Sequence, residues 1–150
     1  MIGLAVRSGR ATPSGGPCNN GSCPPCPMVH TLRNSPNLGN AQFGLDLNGV
    51  ALGGNLTWCL IGAGPCMPIG PVIGPLCGPL WIGPYMGSLG PNVSAAGVGC
   101  GGFETFNLPL PLIPAFCGSI ISSQCATICP TAAGIGTAMS NCLSWELQSN

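Results

Sequence analysis

The residues with the most evident chemistry stand close together in CNNGSCPPCPMVH, where Cys18, Cys23, Cys26 and His30 are spaced C-x4-C-x2-C-x3-H. Three thiolates and one imidazole make the donor set of a closed tetrahedral zinc site, and C-x2-C is the usual spacing for two ligands from one turn. Both residues between Cys23 and Cys26 are proline, which removes the backbone amides that would hydrogen-bond such thiolates. The competing reading places these cysteines in disulfides and leaves His30 a polar loop residue. Zinc is therefore the one cofactor the chain makes a case for, and the default expectation is none.

The other cysteines, Cys59, Cys66, Cys77, Cys100, Cys117, Cys125, Cys129 and Cys142, are disulfide candidates. The total of 11 leaves at least one unpaired or bonded between chains. In an oxidising setting this density staples a loop-rich fold; in a reducing cytosol the same residues serve as small buried hydrophobes or metal ligands. The opening MIGLAV is too short for the apolar run of a secretory leader, and Arg7 follows it rather than preceding it.

Hydrolytic catalysis finds few parts. His30 is the only histidine available as a base, and the acids Asp46, Glu104 and Glu146 are scattered singly. Lys is absent, so the glycine-rich GVGCGG and GIGTAMS cannot complete a phosphate loop. The chain is expected not to be an enzyme. Arg7, Arg10 and Arg33 are too few to neutralise a nucleic-acid backbone, so no nucleic-acid partner is expected.

The elements that must position these residues are unusual. Charged residues make up 4% of the chain, where about 25% is typical, and the net charge is zero. A soluble monomer normally disperses itself with a mixed charged surface, so this one is expected to associate with copies of itself or with other structural subunits. Residues 64–91, GPCMPIGPVIGPLCGPLWIGPYMGSLGP, are strongly apolar yet carry proline throughout. A helix there would lose about 3 kcal/mol at each proline, and a central strand would lose ladder bonds. The stretch is expected to form a pre-bent apolar strip, with Val72, Ile73, Leu76, Leu80, Trp81, Ile82 and Tyr85 in a core or a subunit contact.

A single domain is expected over residues 1–150, mainly β and irregular. Residues 1–40 form a Cys/Pro/Gly-rich arm. Residues 41–115 form a β and Gly-Pro-rich apolar region with a small β-hairpin core at about 41–62, in which FGLDL and VAL flank Asn48-Gly49 and LTWCLI adds a strand. Residues 116–150 hold a short C-terminal α-helical segment at about 119–147, because Ile121, Cys125, Ile128, Ala132, Ile135, Met139 and Cys142 recur at spacings of four and three.

The mixture of Gly, Pro and Cys with few charges, together with CPMVH, resembles the PAAR-type caps of contractile injection spikes. The repeated Pro-Ala-Ala-Arg segments and several histidine ligands of that family are absent here. The favoured function is a non-enzymatic structural subunit of a larger assembly: a virion, phage tail, appendage or cell-envelope particle. The alternatives are a zinc- or disulfide-stapled extracellular binding module, such as a spike-tip-like cap, and a membrane-embedded accessory subunit. Membrane contact is not favoured, because glycine and proline break both apolar stretches, residues 56–90 and 116–145.

Overall fold

Short apolar and β-branched runs punctuated by glycine and proline make strands here. The computed structural model describes residues 11–21, 23–67, 73–74, 76–131 and 134–149. Its strands are β1 (Thr12–Ser14), β2 (Cys18–Asn19), β3 (Val29–Leu32), β4 (Gly44–Val50), β5 (Leu56–Ala63), β6 (Tyr85–Val93), β7 (Gly102–Asn107), β8 (Ile120–Thr131) and β9 (Gly134–Glu146). One antiparallel sheet runs β1-β9-β8-β5-β6, with β2 also on the edge of β9; a second runs β3-β4-β7. Phe43, Leu45, Leu47, Phe106, Leu143 and Trp145 belong to one buried cluster drawn from both sheets, with the Phe43 and Trp145 rings 5.1 Å apart. The mainly β expectation holds.

The C-terminal helix does not form. Residues 120–131 and 134–146 are two long strands of one hairpin, paired from Ile120↔Glu146 to Thr131↔Gly134. Ile120, Ile121, Thr127, Ile128, Thr131, Ile135 and Thr137 are β-branched and favour strand, and Pro130 removes a helical donor. Both faces of β8 are covered, so the run lacks the alternation that would have marked it as a strand.

The hairpin centred on Asn48-Gly49 does not form either. β4 continues through both residues as one strand, and β4 and β5 lie in different sheets. Gly49 takes φ +77° in a bulge of the β4–β7 pairing, and a Cβ there would sit 2.6 Å from the Pro27 carbonyl oxygen. The positive φ that an Asn-Gly step permits makes a bulge where Pro27 passes close, in place of a reversal of the chain. LTWCLI is a strand as expected, within β5.

The two faces of β8 read differently. Ser123, Cys125, Thr127 and Cys129 meet His30, Cys59, Thr57 and Cys23 respectively, on the side of the smaller sheet. Ser122 and Gln124 point the other way and accept hydrogen bonds from the amides of Gly83 and Trp81 at 2.8 and 2.9 Å. The strip around Trp81 and Gly83 therefore lies on the outer face of the six-stranded sheet, where buried hydroxyl and amide side chains supply its backbone with partners, whereas residues 85–91 join that sheet as part of the edge strand β6. Glycine permits the close approach: a Cβ on Gly83 would overlap the Ala63 carbonyl. Within the strip Ile82 is buried, Leu76, Leu80 and Trp81 are half-buried, Ile73 and Tyr85 are exposed, and Val72 lies outside the described residues.

Four disulfides bind this arrangement: Cys18–Cys77, Cys23–Cys129, Cys26–Cys100 and Cys66–Cys142. They point to an oxidising, extracellular setting. Among the described residues no helix is long and apolar enough to cross a membrane.

Candidate functional site

The proposed ligand set Cys18, Cys23, Cys26 and His30 does not come together. Each of its three cysteines is spent in a different disulfide, to Cys77, Cys129 and Cys100, and a bonded sulfur is no thiolate ligand. The chain between them is held apart by the sheet it crosses: β2, with Cys18, lies along β9, whereas His30 belongs to β3 in the other sheet. Of the eight further disulfide candidates, Cys66, Cys77, Cys100, Cys129 and Cys142 are bonded; Cys59, Cys117 and Cys125 are free, the first and last of these buried and Cys117 exposed.

His30 instead meets two cysteines that are far away in sequence. Cys59 on β5 and Cys125 on β8 are direct cross-strand partners, and their sulfurs lie 3.0 Å apart. The side chain of His30 enters from β3 with Nε2 3.9 Å from the Cys59 sulfur and 2.7 Å from Ser123 Oγ. All three residues are within the core, Cys59 and Cys125 at 0% exposure and His30 at 1%. Asn141 fixes the histidine backbone, its Oδ1 accepting from the His30 amide at 2.9 Å. Trp145 Nε1 donates to Ser123 Oγ at 3.0 Å.

The protonation of this group follows from its neighbours. His30 Nδ1 lies 3.1 Å from the Asp46 carbonyl oxygen. A carbonyl only accepts, so Nδ1 carries a proton, and Nε2 meets the Ser123 hydroxyl at 2.7 Å. Burial drives His30 towards its neutral form, but the neighbouring Cys125 charge and the Asp46 carbonyl outweigh it and leave its pKa above the ordinary value. Burial also pushes both thiols up. For Cys59 nothing offsets it, and the adjacent Cys125 adds to the rise. For Cys125 the hydrogen bond from Cys59 and the charge of His30 reverse it and bring its pKa down to about 6. Cys125 thus loses its proton before Cys59 does.

Chemically the arrangement offers two soft donors and one imidazole in a dry enclosure. It offers no path for a macromolecular substrate, since none of the three side chains reaches the surface. Sequence reasoning found His30 but not its partners. The signal lay in the β5–β8 register, which sets Cys59 against Cys125, and register between strands more than sixty residues apart is not written in local composition.

A second feature lies on the outside. β6 ends the larger sheet and β7 ends the smaller one. They run alongside each other, joined where Asn92 Nδ2 donates to the Thr105 carbonyl oxygen at 2.8 Å. This side of the sandwich exposes Tyr85, Met86, Val93 and Phe103, each more than half accessible. An open groove of about 300 Å3 borders the His30 position, lined by Pro13, Val29, His30, Leu32, Asn141 and Leu143. No protein-family model, curated protein or solved structure matches the chain.

Proposed function

We propose that the chain is a non-enzymatic structural subunit of an extracellular assembly, self-associating through the side of the sandwich where β6 and β7 end the two sheets. The observation that carries this reading is the pairing of exposed apolar side chains there with a near absence of charge. The charged side chains among the described residues are Arg33, Asp46, Glu104 and Glu146. Arg33 and Asp46 neutralise each other across 3.1 Å. Glu104 is largely buried, and β6 itself carries no charge. An edge strand is ordinarily protected from a second copy by lysine or an inward charge, and like charges repel neighbouring subunits. β6 has neither, although Pro91 and two register shifts interrupt its pairing and β7 carries the inward Glu104, and exposed apolar side chains of this kind suit an interface.

The disulfides suit this role by tying the Gly-Pro strip and the N-terminal arm to the sheets in an oxidising setting. A virion, tail, appendage or envelope particle would each use such a subunit. Size-exclusion chromatography with light scattering under non-reducing conditions tests the reading: the mass is expected to rise with concentration, and a monodisperse monomer throughout would sink it. A second reading, a small disulfide-stapled extracellular binding module, is favoured by the groove beside Val29 and Leu32, whose apolar lining suits a small apolar ligand.

A further inference from the structure

We propose that His30, Cys59 and Cys125 form a structural zinc site, enclosed at the centre of the sandwich and filled as the chain folds. One donor atom from each residue lies within 4.8 Å of the other two. The donors come from three strands in two sheets, so an ion bound there ties β3 of the smaller sheet to β5 and β8 of the larger one. Thiolate sulfur and imidazole nitrogen are the donors that structural zinc prefers.

The histidine is already held as a ligand must be. Its Nδ1–H is committed to the Asp46 carbonyl, and its Nε2 lies 2.7 Å from the Ser123 hydroxyl with the Cys59 sulfur 3.9 Å away. Metal-bound histidines are oriented by this kind of outer hydrogen bond, which fixes the tautomer and raises ligand basicity. Three protein donors leave one position of a tetrahedral ion to a further ligand, and the oxygen beside Nε2 is the Ser123 hydroxyl, which accepts from Trp145 Nε1.

Charge selects the ion. Zn2+ with two thiolates and a neutral imidazole sums to zero, which suits donors buried at 0–1% exposure. A monovalent cuprous ion would leave one negative charge uncompensated in the core. Tetrahedral zinc with bonds of about 2.3 Å to sulfur needs the two sulfurs about 3.7 Å apart. They stand at 3.0 Å, and a small rotation of either side chain opens the gap. Closing it to a disulfide, at about 2.0 Å, is a comparable movement and is the competing fate of the pair. The histidine sets the two apart: its Nε2 meets the Ser123 hydroxyl at 2.7 Å with the Cys59 sulfur 3.9 Å away, and an ion would draw that lone pair from the hydroxyl, whereas a disulfide would leave the hydrogen bond in place. A solvent-excluded ion enters as the strands close, because its affinity is part of the free energy of folding.

The test is elemental analysis and native mass spectrometry of the full chain, folded with Zn2+ present and no chelator, under non-reducing conditions. About one zinc per chain is expected, with Cys59 and Cys125 absent from the disulfide map. Replacing Zn2+ by Co2+ is expected to give the intense near-ultraviolet thiolate-to-cobalt band and the visible bands of tetrahedral cobalt. His30→Gln and Cys125→Ser are each expected to lower bound metal at least roughly tenfold, whereas Cys117→Ser leaves it unchanged. Since a core variant can fail to fold, the metal content of the wild-type chain is the deciding measurement. A metal-free wild type overturns the proposal, whether its Cys59 and Cys125 are found joined in a fifth disulfide or as free thiols released on denaturation.

Discussion

The two edges of the six-stranded sheet are treated in opposite ways. Along β9 the N-terminal arm is laid down twice, Thr12–Ser14 against Cys142–Ser144 and Cys18–Asn19 against Met139–Ala138. Asn20 extends the seal, its side-chain Oδ1 accepting from the Thr137 amide at 2.8 Å. Two disulfides, Cys18–Cys77 and Cys23–Cys129, pin the ends of this seal. At the other edge, β6 pairs with β5 alone, and most of its residues are exposed. The chain commits covalent bonds to closing one edge, whereas the other carries no charge and is interrupted by Pro91 and two register shifts alone. An association that is directional needs one such open side, and uncontrolled aggregation is what two would bring.

The largest effect is expected from unsealing the closed edge. Cys18→Ser with Cys77→Ser removes a link between residues 59 apart in sequence. The expected loss is about 2–4 kcal/mol, read as a lower denaturant midpoint. Amide exchange in β9 should quicken, and larger aggregates should appear as a second edge becomes available. If the variant keeps its midpoint and its size distribution, the arm is not the seal described here.

Next comes the cover on the outer face. Gly83→Ala forces a methyl group into the Ala63 carbonyl. A destabilisation of about 1–3 kcal/mol is expected, with association at the β6 side unchanged. Equal weakening of association would mean the two features are not separate.

At the open side, Met86→Lys with Val93→Lys puts two like charges on residues that are 60% and 63% exposed. Self-association is expected to weaken at least tenfold, or roughly 1.4 kcal/mol, while the unfolding midpoint moves by less than about 0.5 kcal/mol in free energy. The smallest effect concerns Glu104 at the seam of β6 and β7. Burial holds its carboxyl above the ordinary glutamate value, with the Asn92 amide working against this. The folded state therefore binds the proton more readily than the unfolded one, so stability rises slightly as pH falls through the raised pKa towards 4.5. Denaturation curves across that range should show the gain in the wild type and lose it in Glu104→Gln.

What could be read from the sequence tracks what is local. Missing charge, dense cysteine and proline-barred helices are properties of composition, and they led to a mainly β chain whose apolar strip seeks cover. Ile82, buried, and Trp81, half-buried, follow that logic. The misreadings arose where distant partners decide. Ser122, Ser123, Gln124 and Thr127 are buried because strands and strip cover both faces of β8, and this erased the alternation and left a chance helical spacing in view. Asn48-Gly49 offered the backbone freedom of a turn, but Pro27 and β7 used it for a bulge. Spacing groups His30 with Cys18, Cys23 and Cys26, whereas the pairing of β5 with β8 brings Cys59 and Cys125 before it.

Hydrogen exchange measured at increasing protein concentration, under non-reducing conditions, tests the central claim most directly. Protection is expected to rise over residues 85–93 as copies meet there, with the amides of β9 unchanged at every concentration. Protection that stays constant over 85–93, or that grows at the β9 edge instead, would contradict association through the open side.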